Sequence, residues 1–319
     1  MFFQECECME RMKILSIVVP NFNGAEKTLK LVSCLLPQLK PDCEIIIVDD
    51  GSTPQSLSHL EAGLFAVQCA KLITQENLGR SAARNAGAAL AKGEYLIFID
   101  NDIIPGGGFV ERVEAVLSVH PHAWITGSVV QKIIECPHKD FLRFRKRLDY
   151  VPRDVATDSM GLARVNSFST QQLAVCRQTF LRLGGFDERL SDCEDFELSV
   201  RVDDSGAFIL HDTKNVVEHA DYSNLDQFIR RQIEYRKGRE ELKRIQPGIA
   251  DRFPNLFPGE IKMKFWVQML RRLFVYNRIW RFLIEHKIVR ALPMMLRYFL
   301  YDLLISSTFL LSKPCSDEG

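Results

Sequence analysis

The sequence predicts an α/β fold built on a mainly parallel central sheet, followed by a helical appendage. Three observations carry that expectation. Short, continuous apolar runs alternate with helix-period segments through the first half of the chain. Such runs suit strands buried on both faces of a parallel sheet and joined by right-handed crossovers. Three of these runs end in polar clusters, Asn21/Asn23, Asp49/Asp50 and Asp100/Asp102. Beyond residue 260 the chain turns basic and apolar at helical spacing.

Taken in order, residues 1–12 read as a flexible leader. Ile14 to Pro20 is a short apolar strand closed by proline, followed by the turn Asn21-Phe22-Asn23-Gly24. Leu29, Val32, Leu35, Leu36 and Leu39 recur at helix spacing. Glu44 to Val48 is a second buried strand ending in Asp49-Asp50-Gly51-Ser52, and a third lies around Lys71 to Ile73. Gly79 to Ala91 is an alanine-rich helix whose small residues allow close approach to the sheet. Gly93 to Asp102 supplies the strand Tyr-Leu-Ile-Phe-Ile, which runs into Asp100-Asn101-Asp102.

Ligands collect outside the carboxyl ends of strands in open α/β sheets. Two hard oxygen donors there suit a divalent cation bridging nucleotide phosphates. The alternative is purely local: Asp100 caps the next element and Asp102 starts the turn before Pro105 and Gly106 to Gly108. Three such clusters on successive strands favour a site. No G-x-G-x-x-G follows the first strand and no G-x-x-x-x-G-K-[ST] occurs, so dinucleotide and P-loop sites are disfavoured.

The second half changes character. Residues 136–153 mix bases with aromatics and read as a helix or loop. Val165 to Cys176 contains a strand, and Gly184-Gly185-Phe186-Asp187-Glu188 a turn. Glu194 and Asp195 precede a helical pattern; they complement a helix N-terminus, or one of them is a general base. Ala207 to Leu210 and Val216 to His219 read as two separate strands. A neutral imidazole at His219 suits a metal site begun by carboxylates.

With 319 residues, 46% apolar and 26% charged, the chain is globular; its formal charge of zero excludes a nucleic-acid binder working by bulk charge. The nine cysteines include no C-x-x-C, and the isolated Cys6-x-Cys8 lacks partners at zinc-site spacing, which fits a reducing compartment. Glu5, Glu7 and Glu10 argue against a secretory signal, so the catalytic part is expected in the cytoplasm.

Five stretches resemble family 2 glycosyltransferases with the GT-A fold. They are Ser16 to Gly24, Ile46 to Thr53, Asn77 to Gly87, Gly93 to Asp102, and Gly184 to Glu188 followed by Glu194-Asp195. The resemblance implies a GT-A catalytic domain over 13–230 and an inverting transfer from a nucleotide-sugar, a UDP-sugar first. It implies that Pro20, Asn21, Phe22 and Asn23 border the nucleotide and that Asp50 contacts the uracil. Asn77, Arg80 and Arg84 would lie near uridine and diphosphate. Asp100, Asn101 and Asp102 form the D-x-D segment, with Asp100 and Asp102 serving ribose and a divalent metal (Mn²⁺ or Mg²⁺), and His219 completing the metal shell. Asp195 would be the catalytic base, with Glu194 beside it in the donor site. Processive relatives carry Gln-x-x-Arg-Trp; here Gln227-Phe-Ile-Arg-Arg231 has arginine in place of tryptophan, which favours single addition.

Residues 231–319 are expected to be helical. From Ile261 to Lys313 ten Lys/Arg face two acids, and Trp266, Leu270, Leu273, Trp280 and Ile284 project onto one helical face. That pattern suits peripheral attachment to the inner face of the cell membrane, and so a lipid-linked or envelope glycan acceptor. Pro293, Arg297 and Asp302 interrupt the last apolar stretch, so interfacial attachment is favoured over spanning. Two rival readings are a nucleotidyltransferase, whose phosphate loop is missing after the first strand, and a non-catalytic nucleotide-sugar-binding scaffold.

Overall fold

A computed structural model describes residues 15–149, 156–254, 257 and 264–311. The expected leader, with Cys6 and Cys8, lies outside the described residues. The elements in order are β1 (Leu15–Asn21), α1 (Ala25–Leu35), β2 (Glu44–Asp50), α2 (Pro54–Leu64), β3 (Ala70–Gln75), α3 (Arg80–Leu90), β4 (Tyr95–Ile99) and β5 (Ile103–Ile104). They continue with α4 (Phe109–Val119), β6 (Trp124–Gln131), α5 (Lys139–Lys146), β7 (Leu162–Val165), β8 (Gln172–Cys176), α6 (Arg177–Arg182), α7 (Glu194–Asp204) and β9 (Ile209–His219). The helices α8 (Leu225–Ile245), α9 (Ile249–Arg252), α10 (Phe265–Leu273), α11 (Arg278–Glu285) and α12 (Met294–Leu311) complete the chain.

The chain divides into two compact units, one of residues 1–130, 150–188 and 194–220, the other of 131–149, 189–193 and 221–319. The first unit carries a mixed sheet in the order β3-β2-β1-β4-β8-β6-β9-β5, with β7 on β9. Its first four strands are parallel, whereas β8 runs antiparallel to β4, and β5 and β7 antiparallel to β9. The parallel strands sort their side chains by the two-residue period of a strand. Ile17, Val19, Ile45, Ile47, Ile97 and Ile99 pack beneath α1, α2 and α4, while Val18, Ile46, Val48, Leu96 and Phe98 pack beneath α3, α6 and α7. Helices on both faces explain why these strands read as unbroken apolar runs. Helix α3 lies close to the sheet because Gly87 has no Cβ, an atom that would sit 2.4 Å from Val18.

Three features differ from the sequence reading. Helix α4 and strand β6 have no place in it. The two expected strands at 207–210 and 216–219 are one, β9, of 11 residues. Its polar middle looks like a loop in sequence, but Asp212 is fully buried and receives Arg112 Nε and Nη2 at 2.7 and 2.9 Å. The third is β5, too short to be seen as a strand.

In the second unit, Phe141 and Phe144 of α5, Leu225 and Ile229 of α8, and Tyr298, Tyr301 and Leu304 of α12 share one core. Helix α8 starts with a capping box between Asn224 and Gln227. Arg231, which stands where processive relatives carry tryptophan, pairs with Asp192 at 3.0 Å and lies over the Tyr235 ring. Among the described residues only α12 is long and apolar enough to cross a membrane, at a mean hydropathy of 1.3.

Candidate active site

The order of the parallel strands reverses between β1 and β4, because β2 and β3 extend to one side of β1 and β4 sits on the other. Such a switch point opens a crevice at the strands' carboxyl ends. The first polar groups there are structural. Asn21 is 1% exposed: its Nδ2 donates to Asp49 Oδ1 at 2.6 Å, and its Oδ1 accepts from Thr28 Oγ1 at 2.8 Å and Asn101 Nδ2 at 3.2 Å. Asn21 and Asn101, expected against the nucleotide, therefore spend their amides tying β1, β2 and β4 together. Asn23 adopts a left-handed φ of 51°, donates its N–H to Ser52 Oγ and accepts from Thr53 N–H at 2.9 Å. Pro20 is half-buried, and Phe22 stands exposed at the edge.

Asp50 has most of its hydrogen-bonding capacity filled as well. It accepts from Gln75 Nε2 at 2.8 Å and from the backbone N–H groups of Leu78 and Gly79, both at 2.9 Å. Three of roughly four lone-pair sites are filled, which leaves one for a base edge. The carboxylate also holds the segment that enters α3. Gly51, at φ +77°, permits this: a Cβ there would lie 2.7 Å from the Asn77 nitrogen. Asn77 itself is exposed.

Arg84, expected near the uridine and diphosphate, is buried between two carboxylates. Its side chain is 2% exposed, and it bridges Glu194 Oε1 at 2.7 Å and Asp100 Oδ1 at 2.6 Å. Burial pushes the Glu194 carboxyl up, but Arg84 and Arg80 more than offset that and hold it below the usual carboxylate range. Burial likewise opposes the Arg84 charge, and Asp100 and Glu194 outweigh it, so the guanidinium is raised. Arg80, on the first turn of α3, remains about a third exposed with Nε 4.0 Å from Glu194.

Asp102 has a different partner set. The short pairing of β5 with β9 puts Ile103 opposite His219. This brings His219 Nε2 to 3.4 Å from Asp102 Oδ2, with Lys27 Nζ at 3.7 Å. Burial raises the Asp102 carboxyl, while His219 and Lys27 lower it by more. A carboxylate oxygen and an imidazole nitrogen are donors that suit Mg²⁺ or Mn²⁺. Among the described residues no three His, Cys, Asp or Glu side chains converge. The remaining positions would fall to phosphate oxygens and water, as is usual for a nucleotide-bound cation. Asp100, expected as a second metal acid, is turned to Arg84 instead. Lys27 escapes a sequence reading, for it belongs to no spaced motif.

Asp195 is half-buried in the first turn of α7, where its Oδ1 accepts from the Phe196 N–H at 2.8 Å. The turn before it is braced from two sides. Asn85 Nδ2 donates to the Phe186 carbonyl and Asn85 Oδ1 accepts from the Phe186 N–H, both at 2.9 Å. Arg201 of α7 donates to the Gly185 carbonyl at 2.7 Å. Gly185 has φ +69°, and a Cβ there would sit 2.6 Å from Asn85 Oδ1. The Gly-Gly-Phe stretch is thus a fixture for α7.

The family model described as glycosyl transferase family 2 matches residues 16–173. Glycosyltransferase GlyG of Streptococcus pneumoniae serotype 4 is 36% identical over 102 residues, 32% of this chain and 34% of that protein. The chain spans about a third to two thirds of the length of the first curated relatives it matches. A mannosyltransferase from Pyrobaculum calidifontis, solved with GDP-Man and Mn²⁺, superposes with a TM-score of 0.58 at 16% identity, covering 92% of this chain and 85% of the other. GalNAc-T7, solved with UDP, GalNAc and Mn²⁺, gives 0.54 at 18% identity over 72% and 48%. These structural likenesses show the GT-A fold. With that fold, and with the family match running through the β1, β2, α3 and β4 motifs just described, residues 16–173 are a glycosyl transferase family 2 segment.

Proposed function

We propose that the protein is an inverting, metal-assisted glycosyltransferase that moves one sugar from a nucleotide-sugar to an acceptor hydroxyl. The observation that carries this reading is the Asp102–His219 approach at 3.4 Å, at the carboxyl edge of the same sheet whose switch point lies between β1 and β4. A divalent cation held by Asp102 and His219 would neutralise charge on the departing diphosphate. Arg80 faces the same charge. The remaining carboxylate site of Asp50 receives an N–H of the base, and Asn77, Asn23, Phe22 and Pro20 line the nucleotide.

Asp195 is the general base. It takes the acceptor hydroxyl proton as that oxygen bonds to the anomeric carbon and the carbon–phosphate-oxygen bond breaks. One attack from the face opposite the leaving group inverts the centre, so a single base is enough, unlike the paired carboxylates of a hydrolase. Arg84 does not touch substrate; it positions Asp100 and Glu194. UDP is the first nucleotide to test, and the GDP-Man bound by the mannosyltransferase relative makes GDP the second. The acceptor is a lipid-linked or envelope glycan, met at a membrane surface.

Thermal unfolding with UDP, GDP, CMP and ADP, each with Mn²⁺ or chelator, tests the donor. Ligand at about 100 times its dissociation constant adds about 2.7 kcal/mol. A UDP-selective, metal-dependent rise that vanishes in Asp102→Ala is expected. A rise with GDP alone changes the donor, and no rise with any nucleotide sinks the reading.

A further inference from the structure

The second unit turns an apolar face outward that its own core leaves unused. In α10, Trp266, Leu270 and Leu273 share one side of the helix and are 67, 56 and 66% exposed. In α11, Ile279 and Phe282 are 69 and 52% exposed, and Met295 at the start of α12 is 82% exposed. The opposite sides of these helices hold them in place. Arg271 donates to Ser306 at 3.1 Å, Trp280 Nε1 donates to the Leu273 carbonyl at 2.8 Å, and Trp280 stacks on Phe274. The projection of Trp266 through Ile284 onto one face therefore fails. The chain turns between α10 and α11, where Asn277 caps the second helix, and Trp280 and Ile284 pack inward on the aromatic core.

Charge selects among the possible occupants. Residues 264–311 carry eight Lys/Arg against Glu285 and Asp302. A second copy docking by two-fold symmetry would bring two net-basic segments together. An anionic lipid surface suits the apolar face and the basic balance of the segment at once. Spanning is disfavoured for α12. Its buried Tyr298, Tyr301 and Leu304 pack with α5 and α8, and Arg297 is paired with Asp140 at 2.7 Å.

We propose that α10, α11 and the first turn of α12 form an in-plane docking face for an anionic bilayer, with Trp266, Leu270, Leu273, Ile279 and Phe282 entering the acyl boundary. This deepens the membrane-surface part of the reading above, but rests on the second unit alone and on no donor chemistry. The test is co-sedimentation of the full chain with phosphatidylcholine vesicles, with or without about 30 mol% phosphatidylglycerol. At least ~tenfold tighter binding to the anionic vesicles is expected, lost in high salt. The binding should also be lost in Leu270→Glu and in Phe282→Glu, each with an unchanged melting midpoint and circular dichroism. Phe65→Glu, at a 94% exposed phenylalanine of the other unit, should bind like the parent. Equal binding to both vesicles, or binding that survives both substitutions, overturns the proposal. So does a dimer in light scattering that Leu270→Glu dissociates. No donor is present, so failure here leaves the transferase reading standing.

Discussion

The strand-end edge of the first unit and the C-terminal helices of the second treat their difficult side chains in opposite ways. At the edge, charges are buried and paired: Arg84, Glu194, Asp49 and Asp50 are each at most 5% exposed and have partners within the unit. In α10 and α11 many apolar groups are left in water, Trp266, Leu270, Leu273, Ile279 and Phe282 among them, and neither helix has a fully buried residue. Buried charges need particular partners at particular angles, so they leave spaced motifs in the sequence. An apolar face needs only the right period, so it leaves composition. One region can be read residue by residue, the other only as a texture.

The sharpest break of that comparison is Asp195→Asn. Transfer should fall on the order of 10³-fold, within the usual range for a general base, while nucleotide binding by thermal shift stays as in the parent. Survival of transfer at the parent rate removes Asp195 from the base role. Next is Arg84→Met, which would leave two carboxylates facing an apolar chain. Removing one partner of a buried pair costs about 3–5 kcal/mol, to be read from denaturant midpoints; a loss under about 1 kcal/mol would put the clamp on a par with a surface pair.

A smaller effect comes with pH. Glu194 has a folded carboxyl below its ordinary 4.5. Its contribution is therefore full above that value and lost as pH falls through the lowered one. The stability gap between parent and Glu194→Gln, from urea melts, should be widest near neutrality and shrink on acidification. A gap independent of pH contradicts the pairing. Smallest is Asn224→Ala, which removes half of the α8 capping box and should cost about 1 kcal/mol. That change touches no residue proposed to meet the nucleotide and should leave nucleotide binding unmoved.

The four parallel strands were legible because each is an apolar run ending in a polar step. Helix α3 was legible from its alanines. What escaped was polar residues inside a strand. Asp212 and Asn215 break the apolar run of β9, and the charge that pairs with Asp212 comes from Arg112, a hundred positions earlier. No local rule sees that bond. The site shows the same division. The carboxylates at the strand ends and at the start of α7 could be picked out from the sequence, but not which neighbours each one pairs with. Asn21, Asn101 and Arg84 lie in the same motifs as more exposed polar residues, yet hydrogen bonds to Thr28, Asp49, Asp100 and Glu194 turn them inward. For the C-terminal region, the basic and apolar bias was legible, while the turn that rotates Trp280 inward was not.

The two-residue pairing of β5 with β9 makes the sheet a ruler for the site. Ile103 sits opposite His219, and Ile104 opposite Glu218. Successive strand residues point to opposite faces, so a slip of one place flips the whole set. A single residue inserted or deleted in β9 before His219 would carry the imidazole away from Asp102 and offer a carboxylate or a methyl group instead. The identity of the group beside Asp102 is thus counted out from Ile209, ten residues back, and the spacing along that strand is as much a part of the site as the histidine.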